Sequence, residues 1–247
     1  INLCVVVQNF YQEYQKLSAA ITAEWDGKQI TTQALAKELE KQDRSIRERA
    51  FRAEWSRRLQ DKAELDRIFD EMYDLRVQMA KNAGFENFRD YTFQTRHRYD
   101  YTPDDCISFH QAIEKNFVPL AKKIHQERKK KLGLEKLRSW DLSVDTTGEK
   151  PLAPFQNTDE LVDRVDQVFG KFDAELLGYY REMKKNNLFD LANRKGKAPG
   201  GYQAMLNESR LPFIFMNAVG LHRDVTILLH ESGHAFHSFL ARANAVL

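Results

Sequence analysis

The sequence predicts a mainly α fold (α+β), with a small β element beside a helix near the C-terminal end. Three observations carry that expectation. Apolar residues recur at helical spacing, as in Leu65, Ile68, Phe69, Met72, Arg76 and Met79, which keep steps of three, four and seven. Start and stop signals bracket the helical stretches: Ser45-Ile46-Arg47-Glu48 as a capping box, Thr102-Pro103-Asp104-Asp105 and Asn157 with Glu160 at other starts, Asn82-Ala83-Gly84 and Gly133 at ends. Strand signals are confined to residues 21–32 and 202–217.

Taken in order, the chain opens Ile1-Asn2-Leu3-Cys4-Val5-Val6-Val7, without Met or a basic leader, which reads as an interior stretch of a longer chain. Residues 21–32 place Asp26-Gly27 between β-formers, the signature of a type I′ hairpin, with a loop between two helices as the alternative. A long helical stretch follows from Ser45 to about Gly84, its Met and Phe positions expected in the core. Thr102 caps the next helix, Pro103 suits its first turn, and Asp104 and Asp105 meet its positive end. It should run through Phe109, Ile113 and Phe117, kink at Pro119, and close on Arg128-Lys129-Lys130-Lys131, a solvated basic face at the negative end of the dipole. His110 and His125 lie on it, each without a second ligand at i+4, and read as partly exposed helical histidines. Residues 139–157 form the longest loop, and a helix from Asn157 should pass Val168 and Leu176 to about Lys185. The basic, Gly-rich 194–201 lacks the ending of a phosphate loop and leads into strands at 202–206 and 213–217. Two regions are expected: 1–44, the remnant of an N-terminal region with the hairpin, and 45–247, which holds the site.

Composition narrows the function. The 247 residues are 42% hydrophobic and 30% charged with a net charge of +2, an ordinary globular balance that points to no nucleic-acid partner. No run approaches 18 apolar residues, so no membrane span is expected. Cys4 and Cys106 form no metal or disulfide pattern and read as reduced thiols, which suggests the cytoplasm.

The chemistry sits in Leu228-Leu229-His230-Glu231-Ser232-Gly233-His234-Ala235-Phe236-His237. On a helix, positions i and i+4 share a face, so His230 and His234 can offer imidazole nitrogens to one metal ion. Zinc suits that donor pair and keeps a position open for water. Glu231, about 100° round the helix, is placed to take a proton from that water and pass it to a leaving amine. A surface helix that happens to carry these residues is the alternative. A catalytic zinc needs a third protein ligand. No Asp, Glu or Cys follows Glu231, and His237 lies about 7.5 Å beyond the pair along the axis, too far for one ion. The site as given is therefore incomplete, and Leu228, Leu229 and Phe236 are expected to be partly exposed. Gly233 costs about 1 kcal/mol in mid-helix, which suggests close approach by another backbone.

Three linked segments carry a resemblance: Lys195-Gly196-Lys197-Ala198-Pro199-Gly200-Gly201-Tyr202, then Leu211-Pro212-Phe213-Ile214-Phe215-Met216-Asn217, then the H-E-x-G-H helix. They resemble the M3 zinc metallopeptidases of the oligoendopeptidase F type, as do Arg47-Glu48-Arg49-Ala50-Phe51-Arg52 and Arg96-His97-Arg98-Tyr99-Asp100-Tyr101. The resemblance implies a zincin-like helical metallopeptidase domain, partial over 45–247, cut after the metal helix and lacking both ends of the full protein. It implies His230 and His234 as zinc ligands, Glu231 as general base, and a third ligand, a Glu, on a later helix. It also implies short peptides as substrates, with Gly200, Gly201, Tyr202 and Asn217 as substrate-binding candidates. Such enzymes hold substrate as an added strand on a sheet edge, a role the 213–217 strand resembles, with a buried hairpin as the equal alternative. The expected function is a cytoplasmic zinc metalloendopeptidase whose present segment is inactive alone. The rivals are a catalytically dead helical binding module and a zinc-free structural domain.

Overall fold

A computed structural model describes residues 2–242. About 63% of the chain is helical, roughly twice the one-third typical of globular proteins, so helix packing dominates. The elements, in order, are α1 (Leu3–Ala20), β1 (Thr22–Trp25), β2 (Lys28–Thr31), α2 (Thr32–Leu35), a 3₁₀ segment (Ala36–Glu40), α3 (Arg44–Gln60), α4 (Lys62–Asn82), α5 (Phe88–Thr95) and α6 (Pro103–Lys131). After a second 3₁₀ turn (Ser139–Asp141) come α7 (Thr158–Phe172), α8 (Ala174–Lys185), β3 (Phe189–Ala192), β4 (Tyr202–Leu206), β5 (Leu211–Ala218) and α9 (His222–Ala241).

The chain forms two compact units. The first comprises residues 1–17, 58–142 and 146–148. Within it α4 buries Ile68, Met72 and Ala80 along one stripe and stops at Gly84, whose φ of 81° closes the helix. Phe69 departs from expectation: it is 64% exposed, because it lies about 100° from Ile68 on the helix and outside the buried stripe. Thr102 caps α6, as the sequence predicts, and the Asp105 side chain answers it in a reciprocal capping box.

The second unit comprises residues 18–57, 143–145 and 149–247. Asp26 and Gly27 take φ of 50° and 76°, the pair of positive values a type I′ turn requires, and β1 and β2 pair antiparallel around them. The capping box expected at Ser45 does not form. Asp43 accepts from the Ser45 amide and hydroxyl, and the helix starts one residue earlier at Arg44. The single helix expected over 157–185 is two: Asp173 adopts an extended backbone and accepts from the Glu175 and Leu176 amides, capping α8 where α7 ends.

A three-stranded sheet, ordered β3-β5-β4, packs in this unit. β5 pairs with β4 antiparallel and with β3 in parallel. β5 therefore lies at the centre, and the edge role expected for residues 213–217 belongs to β4 among the described residues. Its buried positions explain this, since Pro212, Ile214 and Met216 alternate into the core. The core joins α7, α8, the sheet and α9 through Leu161, Val165, Tyr180, Met183, Ile214, Met216, Leu228 and Phe236. Leu228 and Phe236 are buried, contrary to the exposure expected of them, because α7, α8 and β5 already cover that face.

Candidate active site

Helix α9 is amphipathic in a strict sense. Asp224, Leu228, Glu231, Ser232, Ala235, Phe236 and Phe239 are buried, and His230, Gly233, His234 and His237 are exposed. The spacing of the buried set, near 3.6 residues, turns the two histidines outward together. Ser232 is buried without penalty because its hydroxyl donates to the Leu228 carbonyl one turn back, at 2.7 Å. The helix start is fixed by Asp224. One carboxylate oxygen accepts from the amides of Val219, Gly220 and Leu221 at 2.8, 2.8 and 2.9 Å, which folds the β5–α9 connection onto the first turn. Gly220, at φ 102°, supplies the left-handed residue that this fold-back needs.

The Nε2 atoms of His230 and His234 stand 3.2 Å apart, with rings at 90° to one another. Two nitrogens at that separation can both lie within the roughly 2.0–2.1 Å of one zinc ion. The donor set thus fits two positions of a zinc site. Among the described residues no third His, Cys, Asp or Glu joins them. His237 is exposed one turn further on and makes no hydrogen bond among the described residues. Gly233 is equally bare. A Cβ there would meet nothing within 4 Å, so the close backbone approach expected of it does not occur among the described residues.

Glu231 differs from its neighbours. It is only 8% exposed, and its side chain lines a cleft of about 370 Å³. Ile227 and Arg223 continue that wall along α9, Gly200, Gly201, Met216 and Asn217 line it from the sheet, and Gln33 and Ala36 from α2 and the 3₁₀ segment. Gly201 is a close approach, since a Cβ there would come within 3.3 Å of both Ile227 and Met216. Glycine thereby lets the chain entering β4 lie directly on α9.

Of the other residues singled out in the sequence, Gly200 and Asn217 line this cleft, and Tyr202 stands next in the chain to Gly201. Gly200 has φ of 99° and hands the chain into β4. Tyr202 is half exposed and stacks on Phe215 at 4.9 Å. Asn217 does not present a free amide to the cleft: its Nδ2 donates to the Ala198 and Gly200 carbonyls, and its Oδ1 accepts from Asn193. Asn193 in turn accepts from the Thr31 hydroxyl at 2.6 Å. A chain of hydrogen bonds thus runs from the hairpin to the glycine loop.

Lys197 escaped the sequence reading. It is buried, and its ammonium donates to the carbonyls of Asp190, Ala192 and Met216 and to the Asp190 carboxylate. It fills the irregularity where the β3–β5 register shifts between Asp190 and Ala192, supplying donors the ladder lacks. Burial pulls its pKa down, against the opposing pull of Asp190. Hydrogen bonds from Arg194 and then Lys197 hold the Asp190 carboxyl down at about 2. A lysine inside a basic loop gives no sequence signal that it turns inward.

Comparison with known proteins bears on this geometry. A profile described as Peptidase family M3 matches residues 38–246. The chain is 23% identical to oligopeptidase A of Haemophilus influenzae, over 81% of this chain and 37% of that protein. It is similar to two solved structures. One is an oligoendopeptidase F-type protein from Bacillus anthracis str. Ames, with a TM-score of 0.88 and 29% identity, covering 94% of this chain and 42% of that one. The other is PZ peptidase A with an inhibitor, with a TM-score of 0.89 and 30% identity, covering 94% of this chain and 41% of that one. The chain therefore spans 37% to 42% of the length of these relatives.

Proposed function

The chain belongs to peptidase family M3, and from that premise we propose that it is part of a zinc-dependent metalloendopeptidase acting on short peptides. The observation that carries the proposal is the division of labour on α9: two convergent imidazoles outside, and one buried carboxylate beside them facing a cleft. His230 and His234 would hold the ion. We place the remaining ligand outside the described residues. Zinc, when bound, would polarise the scissile carbonyl and acidify water.

The work of this chain's own residues follows from their placement. Glu231 accepts a proton on its carboxylate from the attacking water and delivers it to the departing amine. Its near-burial keeps bulk water from competing for that proton. β4 offers an open sheet edge to an extended peptide, and the main-chain bonds made there bind without regard to side chain. Gly200 and Gly201 lead into that strand along the cleft, Tyr202 begins it, and Asn217 holds the loop in place from behind. The printed names of the relatives, oligopeptidase A and oligoendopeptidase F, support peptides as the substrate class. Two free cysteines suit a cytoplasmic setting, and no described helix is long and apolar enough to cross a membrane. Residues 45–247 would then form part of the catalytic domain, and 1–44 the end of what precedes it.

Glu231→Gln in the native protein tests the proposal. It preserves shape and the metal pair and removes the base, so turnover of a fluorogenic peptide should fall by about 10²–10⁴-fold with zinc retained. Turnover near the wild-type rate would reject Glu231 as the base.

A further inference from the structure

The cleft that receives Glu231 has a second charged end. Arg223 lines the same cavity, eight residues earlier on α9. At about 1.5 Å per residue the two positions stand about 12 Å apart along the axis. An extended peptide advances about 3.4 Å per residue, so that distance corresponds to three or four residues of bound substrate.

Arg223 has no structural occupation to account for it. It is exposed, and among the described residues it makes no hydrogen bond and no ion pair. Asp224 beside it turns one carboxylate oxygen to three backbone amides and makes no ion pair with it. A cation in the first turn also opposes the helix dipole, which favours anions there. The walls between the two charges carry Ala36, Met216, Val219, Leu221 and Ile227, with Gln33, Asn217 and Asp224 as the polar members. A guanidinium at the mouth of such a channel is a fork for a carboxylate.

Resting on the peptidase reading above, we propose that Arg223 binds a carboxylate of the peptide substrate three to four residues from the bond cleaved. Two sources offer that chemistry, the free C-terminus of a short peptide and an acidic side chain at the same distance. A free C-terminus would make Arg223 a length gauge, whereas an acidic side chain would make it a sequence reader.

The test uses the native protein with Arg223 intact, Arg223→Met and Arg223→Lys. Three peptides share one neutral sequence: a free C-terminus four residues beyond the cleaved bond, the same peptide amidated, and the amidated peptide with Glu at that position. Binding is read by calorimetry in a Glu231→Gln background, which keeps the peptides whole, and turnover is read with Glu231 present. The expected result is at least about tenfold tighter binding of a carboxylate peptide than of the neutral amide. Arg223→Met should remove that difference while leaving the amide unchanged, and Arg223→Lys should keep part of it. Preference for the free C-terminus alone assigns the length gauge, and preference for both carboxylates assigns the sequence reader. Equal binding of all three peptides, or an equal loss for all three in Arg223→Met, would overturn the proposal. Absence of turnover with the binding contrast intact would sink the peptidase reading and leave Arg223 as a carboxylate site.

Discussion

Helix α6 runs for 29 residues without burying one of them, whereas α9 buries seven of its 20. Their sequences do not announce the difference, since α6 carries Phe109, Ile113, Phe117, Leu120 and Ile124 at helical spacing and α9 carries its own stripe. What separates them is the source of their order. The Thr102–Asp105 box at one end of α6 and a basic last turn at the other satisfy the helix locally. α9 has its start fixed by Asp224 and its body pressed between α7, α8 and β5 by a shared core. A site that must hold two imidazoles at 3.2 Å sits on the helix whose rotation is set by packing.

The comparison can be broken by substitution. Leu228→Ala removes a fully buried side chain two residues before His230 and should cost about 2–5 kcal/mol, read as a lower urea midpoint. A loss below about 0.5 kcal/mol would show that packing does not fix α9. Thr102→Ala should cost about 1 kcal/mol through the lost cap, felt as faster amide exchange over residues 104–106. Phe117→Ala, at a side chain 64% exposed, should stay within about 0.5 kcal/mol. The smallest effect is acid fraying of α6. Hydrogen bonds from the Thr102 amide and hydroxyl hold the Asp105 carboxyl below its ordinary 3.8. Its contribution is therefore complete above pH 3.8 and is lost as pH falls through the depressed value. The protection factors of the amides at 102 and 104–106, relative to their intrinsic exchange rates, should fall below pH 3.8 in the wild type, and Asp105→Asn should show no such limb.

The same contrast explains how far the sequence could be read. Signals written in adjacent residues were legible: the Asp26-Gly27 turn, the Thr102 cap, the stop at Gly84 and the H-E-x-x-H face. Features decided by distant partners were not. Nothing near Phe69 says that the buried stripe passes it by, and nothing in Phe213–Asn217 says that β3 will pair on its other side. The short β3 has only four residues and no turn signal of its own, so it went unread. Asp173 is an exception of a different kind, because a cap in mid-pattern was present but was masked by the apolar period running through it. At the site, spacing alone placed His230 and His234 together. That Glu231 would be buried on a cleft, with Gln33 and Arg223 on the same walls, needed the packed structure.

The central claim is that α9 presents a metal site built on His230 and His234, and zinc affinity tests it most directly. A competition titration with a chromophoric chelator, run on the 247-residue chain, compares wild type with His230→Ala, His234→Ala and His237→Ala. Two imidazoles without an anionic ligand should bind zinc weakly. Either of the first two substitutions should abolish that binding, and His237→Ala should leave it unchanged. Equal affinity in wild type and in His230→Ala and His234→Ala would contradict the account.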